Sequence, residues 1–222
     1  TSVQGGSGTS AVAAAYALRR AAEIKIFYLN LEKFGDSSVY FRGDGKLSFS
    51  DIIYTLKSRK GNLAIKLESA VQTDPSGVDF FISCRNAYDM SELTDAETAT
   101  LLQEISHAGK YQEIVVDLSG DLTDRMVMLM EYVDKIVYVS DGSLIGNGKF
   151  ERFCETIRVM EQRQNINILD KICLLYNRFS SKNGIQLEAA AVPVIGGIHR
   201  FGGLDGKELS KEIAGMDALG RI

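Results

Sequence analysis

Eight consecutive residues near the start of the chain, Gln4-Gly5-Gly6-Ser7-Gly8-Thr9-Ser10-Ala11, hold the richest chemistry. Glycines at Gly5, Gly6 and Gly8 let successive backbone N–H groups curl around an anion, and a helix beginning there adds its positive end. Ser10 falls in the first helical turn, where a hydroxyl can ligate Mg²⁺ beside a phosphate. A plain glycine turn with Ser10 capping a helix is the blander alternative. Two later segments bear on the choice: Asn30-Leu31-Glu32-Lys33-Phe34-Gly35-Asp36 and Ile114-Val115-Val116-Asp117-Leu118-Ser119-Gly120. An acid at the carboxyl end of a central apolar strand, beside a phosphate-cradling loop, is placed to hold magnesium or its water. Loop and acid together point to a nucleotide with its metal, held by Ser10 and Asp117.

These residues need a scaffold that brings strand ends together. Short β-branched or aromatic runs at 24–31, 78–83, 113–118, 135–140, 171–177 and 189–194 are predicted strands, most of them continuously apolar as in sheets covered on both faces. Helices are predicted over 10–22, 51–58, 95–107, 124–132, 150–164 and 207–214. The helix over 95–107 opens on a capping box, Thr94 with Glu97, and closes near Gly109. Strand–helix alternation along the whole chain argues a single α/β domain, three-layered, with a mostly parallel central sheet. A phosphate loop follows a strand, and only Thr1 to Val3 precede this one, so that first strand is expected to be truncated here. The chain of 222 residues is long enough for a large core without staples.

Composition narrows the function. A net charge of −4 gives no general attraction for nucleic acid. No apolar run approaches the roughly 20 residues that span a bilayer. Cys84, Cys154 and Cys173 are scattered and odd in number, which reads as reduced thiols in a cytoplasmic protein. His107 and His199 lie far apart, with no Asp or Cys motif around either.

In their order, the segments resemble the MinD/ParA group of deviant Walker ATPases, whose P-loop reads KGGVGKTT. Within that group the switch segment resembles the TadZ/CpaE branch, which serves assembly of tight-adherence (Flp-type) pili and carries DLDLxFGD where this chain has Asn30 to Asp36. The resemblance implies ATP and Mg²⁺ as ligands, with Gly5, Gly6, Ser7, Gly8, Thr9, Ser10 and Ala11 around the phosphates. It implies that Asn177 and Arg178, in Tyr176-Asn177-Arg178, read the base, and that Pro193 lies in the loop closing over adenine. Glu32 resembles the acid that positions the attacking water. A face-to-face homodimer, pilus or secretion-system partners, a receiver-like domain upstream, and polar or membrane association through partners are further implications.

The departures are chemical. Gln4 stands for the signature Lys, Thr9 for the P-loop Lys, Ala11 for the second Thr, and Asn30 and Glu32 for two Asp. Loss of one such electrostatic donor costs on the order of 10²–10³ in rate. Binding is therefore expected to survive better than hydrolysis, leaving at most a weak ATPase. Lys33, Arg19 and Lys25 are candidates for a replacement cation. Three functions stay open: a nucleotide-binding localisation factor of a pilus system, an active ATPase for DNA partition or division-site positioning, and a nucleotide-free scaffold.

Overall fold

The computed structural model describes residues 1–59, 61–180, 182, 184–187 and 190–222. Among the described residues seven strands are formed: β1 (Ile26–Asn30), β2 (Val71–Thr73), β3 (Asp79–Phe81), β4 (Glu113–Asp117), β5 (Ile136–Ser140), β6 (Ile172–Phe179) and β7 (Val194–His199). They pair in the orders β2-β3-β1-β4 and β5-β6-β7, parallel throughout except for the edge strand β2. Among the described residues eight α-helices cover them: α1 (Thr9–Ala21), α2 (Phe49–Ser58), α3 (Leu63–Ala70), α4 (Ala87–Glu92), α5 (Asp95–His107), α6 (Asp124–Tyr132), α7 (Leu144–Gln164) and α8 (Gly206–Ala214).

The three layers follow from side-chain alternation along the strands. In β1, Ile26 and Tyr28 face α1, while Phe27 and Leu29 face α2, α4 and α5. In the other half, Val139 and Leu175 face α1 and α8, while Tyr138 and Tyr176 face α7. The alanines of α1 let it lie close on the sheet. Ala14 and Ala17 pack against β1, and Ala11 and Ala15 reach Val139 and Leu175, so one helix ties both halves together.

Between β4 and β5 runs an open lane. Among the described residues no ladder joins these two strands. The Thr1 amino group donates to the Val137 carbonyl at 2.8 Å, and the Val139 N–H donates to the Thr1 carbonyl at 2.9 Å. On the β4 side the backbone of residues 2–3 passes so close to Gly120 that a Cβ there would sit 1.9 Å from the Ser2 oxygen. Residues 1–3 thus run in the lane and lead directly into the glycine loop. Below them it continues as a cleft of about 540 Å³, lined by Tyr16, Ile114, Val116, Met130, Ile136 and Val137. The cleft leaves the apolar residues Ile114, Val115 and Val116 of β4 only half-buried.

Several elements depart from the sequence-based reading. The last strand spans Val194–His199 rather than 189–194; of that expected range, Ala189 lies outside the described residues. Pro193 has no N–H to give a ladder, and the strand's glycines hide it in a propensity reading. Gly196, at φ 144°, packs against Ala218, where a side chain would crowd. Helix α7 begins six residues before position 150, at Leu144, capped by the Ser143 hydroxyl, which accepts from the Gly146 N–H. Gly146 lowers helix propensity, and a Cβ there would lie 2.6 Å from both Asp141 Oδ1 and Gln4 Oε1, so those side-chain ends would have to shift. The short α3, α4 and β2 had no periodic signal of their own.

Candidate nucleotide and magnesium site

The glycine loop lies at the carboxyl ends of the strands and is held from β6. Asn177 Nδ2 donates to the Ser7 carbonyl at 2.8 Å, and Arg178 Nη1 donates to the Gly6 carbonyl at 2.7 Å. Neighbouring strand residues ordinarily point to opposite faces. Here the β6–β7 register shifts between Tyr176 and Phe179, and Arg178 takes φ 59°, so both side chains reach the loop. Such bulges re-aim side chains at functional edges. In a trans peptide the N–H points away from the preceding carbonyl, so fixing the Gly6 and Ser7 carbonyls turns the Ser7 and Gly8 N–H groups the other way. Among the described residues nothing accepts from the N–H groups of Gly5 to Gly8, and α1 has no side-chain N-cap. Gly6 and Gly8 sit at φ 76° and 81°, and a Cβ on Gly8 would lie 2.4 Å from Asn177 Nδ2.

Facing the loop is a pair of acids. Asp117 is 2% exposed and accepts from the Tyr28 hydroxyl at 2.7 Å. Glu32 is half-buried and accepts from the Ser10 hydroxyl at 3.3 Å. Burial, and then the charge of Asp117, push the Glu32 carboxyl above its usual range, with the Ser10 hydroxyl opposing them. Burial and the same two carboxylates push the Tyr40 hydroxyl up to about 12, while the Arg178 charge works against them. Asn30 accepts from the Glu32 N–H at 2.8 Å and shapes the turn, over which Gly35 closes without room for a Cβ. Among the described residues no three His, Cys, Asp or Glu side chains gather as a metal cage. Mg²⁺ does not need one, since one or two carboxylates, a hydroxyl, water and phosphate oxygens complete its shell. Ser10, Asp117 and Glu32 are hard oxygen donors that fit it.

The substituted positions have found local partners. Gln4 Nε2 donates to Asp141 Oδ2 at 2.8 Å, and the Thr9 hydroxyl bonds the Ser7 hydroxyl at 2.9 Å. Burial opposes ionisation of Asp141, but the Ser143 N–H and hydroxyl and the Gln4 amide outweigh it and hold the carboxyl below its usual range. Of the candidate cations, Arg19 is spent on the carbonyls of Ala214 and Met216, and Lys25 precedes β1 at the amino end of that strand, away from the loop. Lys33 is exposed, its ammonium 5.9 Å from the Phe34 ring centroid.

The expected residues Gly5 to Ala11, Glu32, Asp117, Asn177 and Arg178 come together. Pro193 does not join them: its carbonyl accepts from the Leu174 N–H at 2.8 Å, three residues before Asn177 on β6. A pocket of about 110 Å³ beside Gly8, Ala11, Asn177 and Arg178 is closed instead by His199, Arg200 and Phe201. Sequence reasoning gave His199 and Arg200 no role because it ended the last strand five residues early.

No family model and no curated protein sequence matches the chain. Its structure, however, superposes along nearly its full length on solved structures. A ParA family ATPase from Chlorobium tepidum gives a TM-score of 0.75 at 18% identity, covering 99% of this chain and 92% of that one. The fold is that of the ParA and MinD ATPases. MinD from Pyrococcus horikoshii, complexed with Mg-ADP, gives 0.69 at 16% identity over 98% and 90% of the two chains. A plasmid partition protein from Borrelia burgdorferi, bound to AMPPNP, gives 0.58 at 14% over 96% and 94%. The ParA/MinD fold thus agrees with the expected three-layer architecture and its mostly parallel sheet. Among the described residues no helix is long and apolar enough to cross a membrane.

The acid pair generates a pH prediction. A carboxyl whose pKa rises on folding weakens the fold as pH climbs through the raised value and costs nothing below its ordinary one. Glu32→Gln should therefore raise the melting temperature at pH 7 by about 2–4 °C per kcal/mol relieved, with the gain vanishing near pH 4. Equal effects at both pH values would show that charge repulsion is not the cause.

Proposed function

We propose that this protein is a Mg-ATP-binding positioning factor of the ParA/MinD kind whose hydrolysis is slow. The observation that carries the reading is the loop itself. Its carbonyls are pinned outward, its N–H groups have no protein acceptor among the described residues, and two carboxylates and a hydroxyl face it. The N–H groups of the loop and the first turn of α1 would bind the phosphates. Ser10 and Asp117 would hold the magnesium, which when bound draws charge from the phosphate oxygens. Glu32 would orient water and take its proton as the oxygen attacks the γ-phosphorus and the bond to ADP breaks. A raised pKa makes it a better base near neutral pH. No ammonium extends from Thr9 to stabilise charge as that bond breaks, so turnover is slow.

Among cellular roles, partition or division-site positioning draws support from the named neighbours, which are ParA, MinD and plasmid partition proteins. Service in a pilus-assembly system rests on the switch-segment resemblance alone. Phe34, Leu144 and Ile145 are 83%, 78% and 71% exposed on the loop edge of the sheet, and they supply an apolar rim for a second copy of the chain.

A labelled ATP analogue titrated with and without Mg²⁺ tests the reading. Saturable Mg²⁺-dependent binding is expected, and Asp117→Asn should abolish the metal dependence. Thr9→Lys should raise single-turnover hydrolysis on the order of 10²-fold while changing affinity much less. No binding at millimolar nucleotide would remove the proposal.

A further inference from the structure

We infer that Tyr28 is a positioning residue of the magnesium site: its hydroxyl ties up one oxygen of Asp117, so the carboxylate can meet a metal only through the other. The inference rests on the nucleotide reading above and adds what makes the site choose magnesium over a larger divalent cation. Tyr28 Oη donates to Asp117 Oδ2 at 2.7 Å, and the two residues are 1% and 2% exposed. Among the described residues no hydrogen bond reaches Asp117 Oδ1. Nor is that oxygen one of the unpartnered polar atoms sealed from solvent. It is free to ligate.

The strand register dictates this arrangement. Tyr28 and Val115 are ladder partners, and both pack on the α1 face of the sheet with Ala14 and Ala17. Side chains two apart on a strand share a face, so Asp117 also points to the α1 side, where Thr9 lines the same cleft. Asp117 is paired with Asn30, two residues beyond Tyr28 on β1. The phenol therefore leans about 6.6 Å along the strands to reach it, and its hydroxyl arrives from the interior of the sheet. The other oxygen is left toward the strand ends and the first turn of α1, which carries Ser10. The ring has little room to leave: Phe41 lies against it with centroids 5.0 Å apart, and Phe80 lies 5.3 Å beyond Phe41. Magnesium demands near-octahedral geometry, which a carboxylate serves through one oxygen, whereas the larger calcium readily takes both. Tying Oδ2 to a phenol removes the two-oxygen mode. Partners of this kind orient a metal's ligands and sustain its affinity.

Tyr28→Phe keeps the ring and removes only the hydroxyl. Affinity for ATPγS is measured with Mg²⁺ and with Ca²⁺, with circular dichroism as the folding control. The unsubstituted chain should bind ATPγS tighter with Mg²⁺ than with Ca²⁺. In Tyr28→Phe, affinity with Mg²⁺ should fall roughly 10- to 100-fold. Affinity with Ca²⁺ should hold within about twofold or rise, because the freed carboxylate can offer both oxygens. A tyrosine that merely supports the fold would lower both affinities together. Equal losses with the two ions, no loss with either, or an unsubstituted chain that does not distinguish them would overturn the inference and leave the nucleotide reading standing. If Tyr28→Phe does not fold, infrared difference spectra of the unsubstituted chain, taken against Asp117→Asn, carry the test. One-oxygen carboxylate binding is then expected with both ions, and two-oxygen binding with Ca²⁺ would overturn the inference. An unsubstituted chain that binds ATPγS with neither ion overturns both readings.

Discussion

Asn177 and Arg178 each donate one hydrogen bond to a carbonyl of the glycine loop, and the geometry around the site depends on those two bonds. A loop of glycines has the greatest conformational entropy to lose, so left alone it would sample many shapes. Pinning the Gly6 and Ser7 carbonyls selects one of them. The peptide planes then aim the opposite N–H groups toward a common space, and α1 begins with its unsatisfied donors on the same side. The brace also explains why Gly8 has no side chain, since a Cβ would strike Asn177 before anything else. Strand β6 can do this because it breaks its own alternation at its last residues.

Charge is the second constraint. Glu32 and Asp117 repel each other across a partly dry space, and the loop opposite them has no ammonium. An anionic ligand alone would meet unfavourable charge there. A ligand arriving with a divalent cation would not, because the metal neutralises the acids while the loop amides hold the anion. The same balance accounts for separating binding from cleavage. Amides and dipole serve the ground state, whereas Gln4 and Thr9 bring no positive charge to meet the charge that shifts as a phosphoryl bond breaks.

Much of this was legible in the chain and some of it was hidden, for physical reasons. The α5 bounds could be read because Thr94 with Glu97 opens it and Gly109 follows its end, and the α6 bounds from its apolar period. Asp117 could be placed because it ends a continuous apolar run. The last strand could not, since Gly196 and Gly197 weaken its propensity and its place is fixed by packing on β6 and Ala218. The start of α7 was lost to Gly146 and Gly148, which weaken the helical signal over its first turns. Arg178 was visible only as half of a dipeptide. That it reaches the loop depends on a bulge between two strands, and pairing over that distance leaves no local trace.

Amide hydrogen exchange across Gly5 to Ala11, followed by mass spectrometry with and without Mg-ATPγS, tests the central claim most directly. The account predicts that these amides are slowed by saturating Mg-ATPγS, and slowed far less when Mg²⁺ is withheld. Exchange that is unchanged by Mg-ATPγS, at concentrations where the nucleotide is bound elsewhere or not at all, would contradict it.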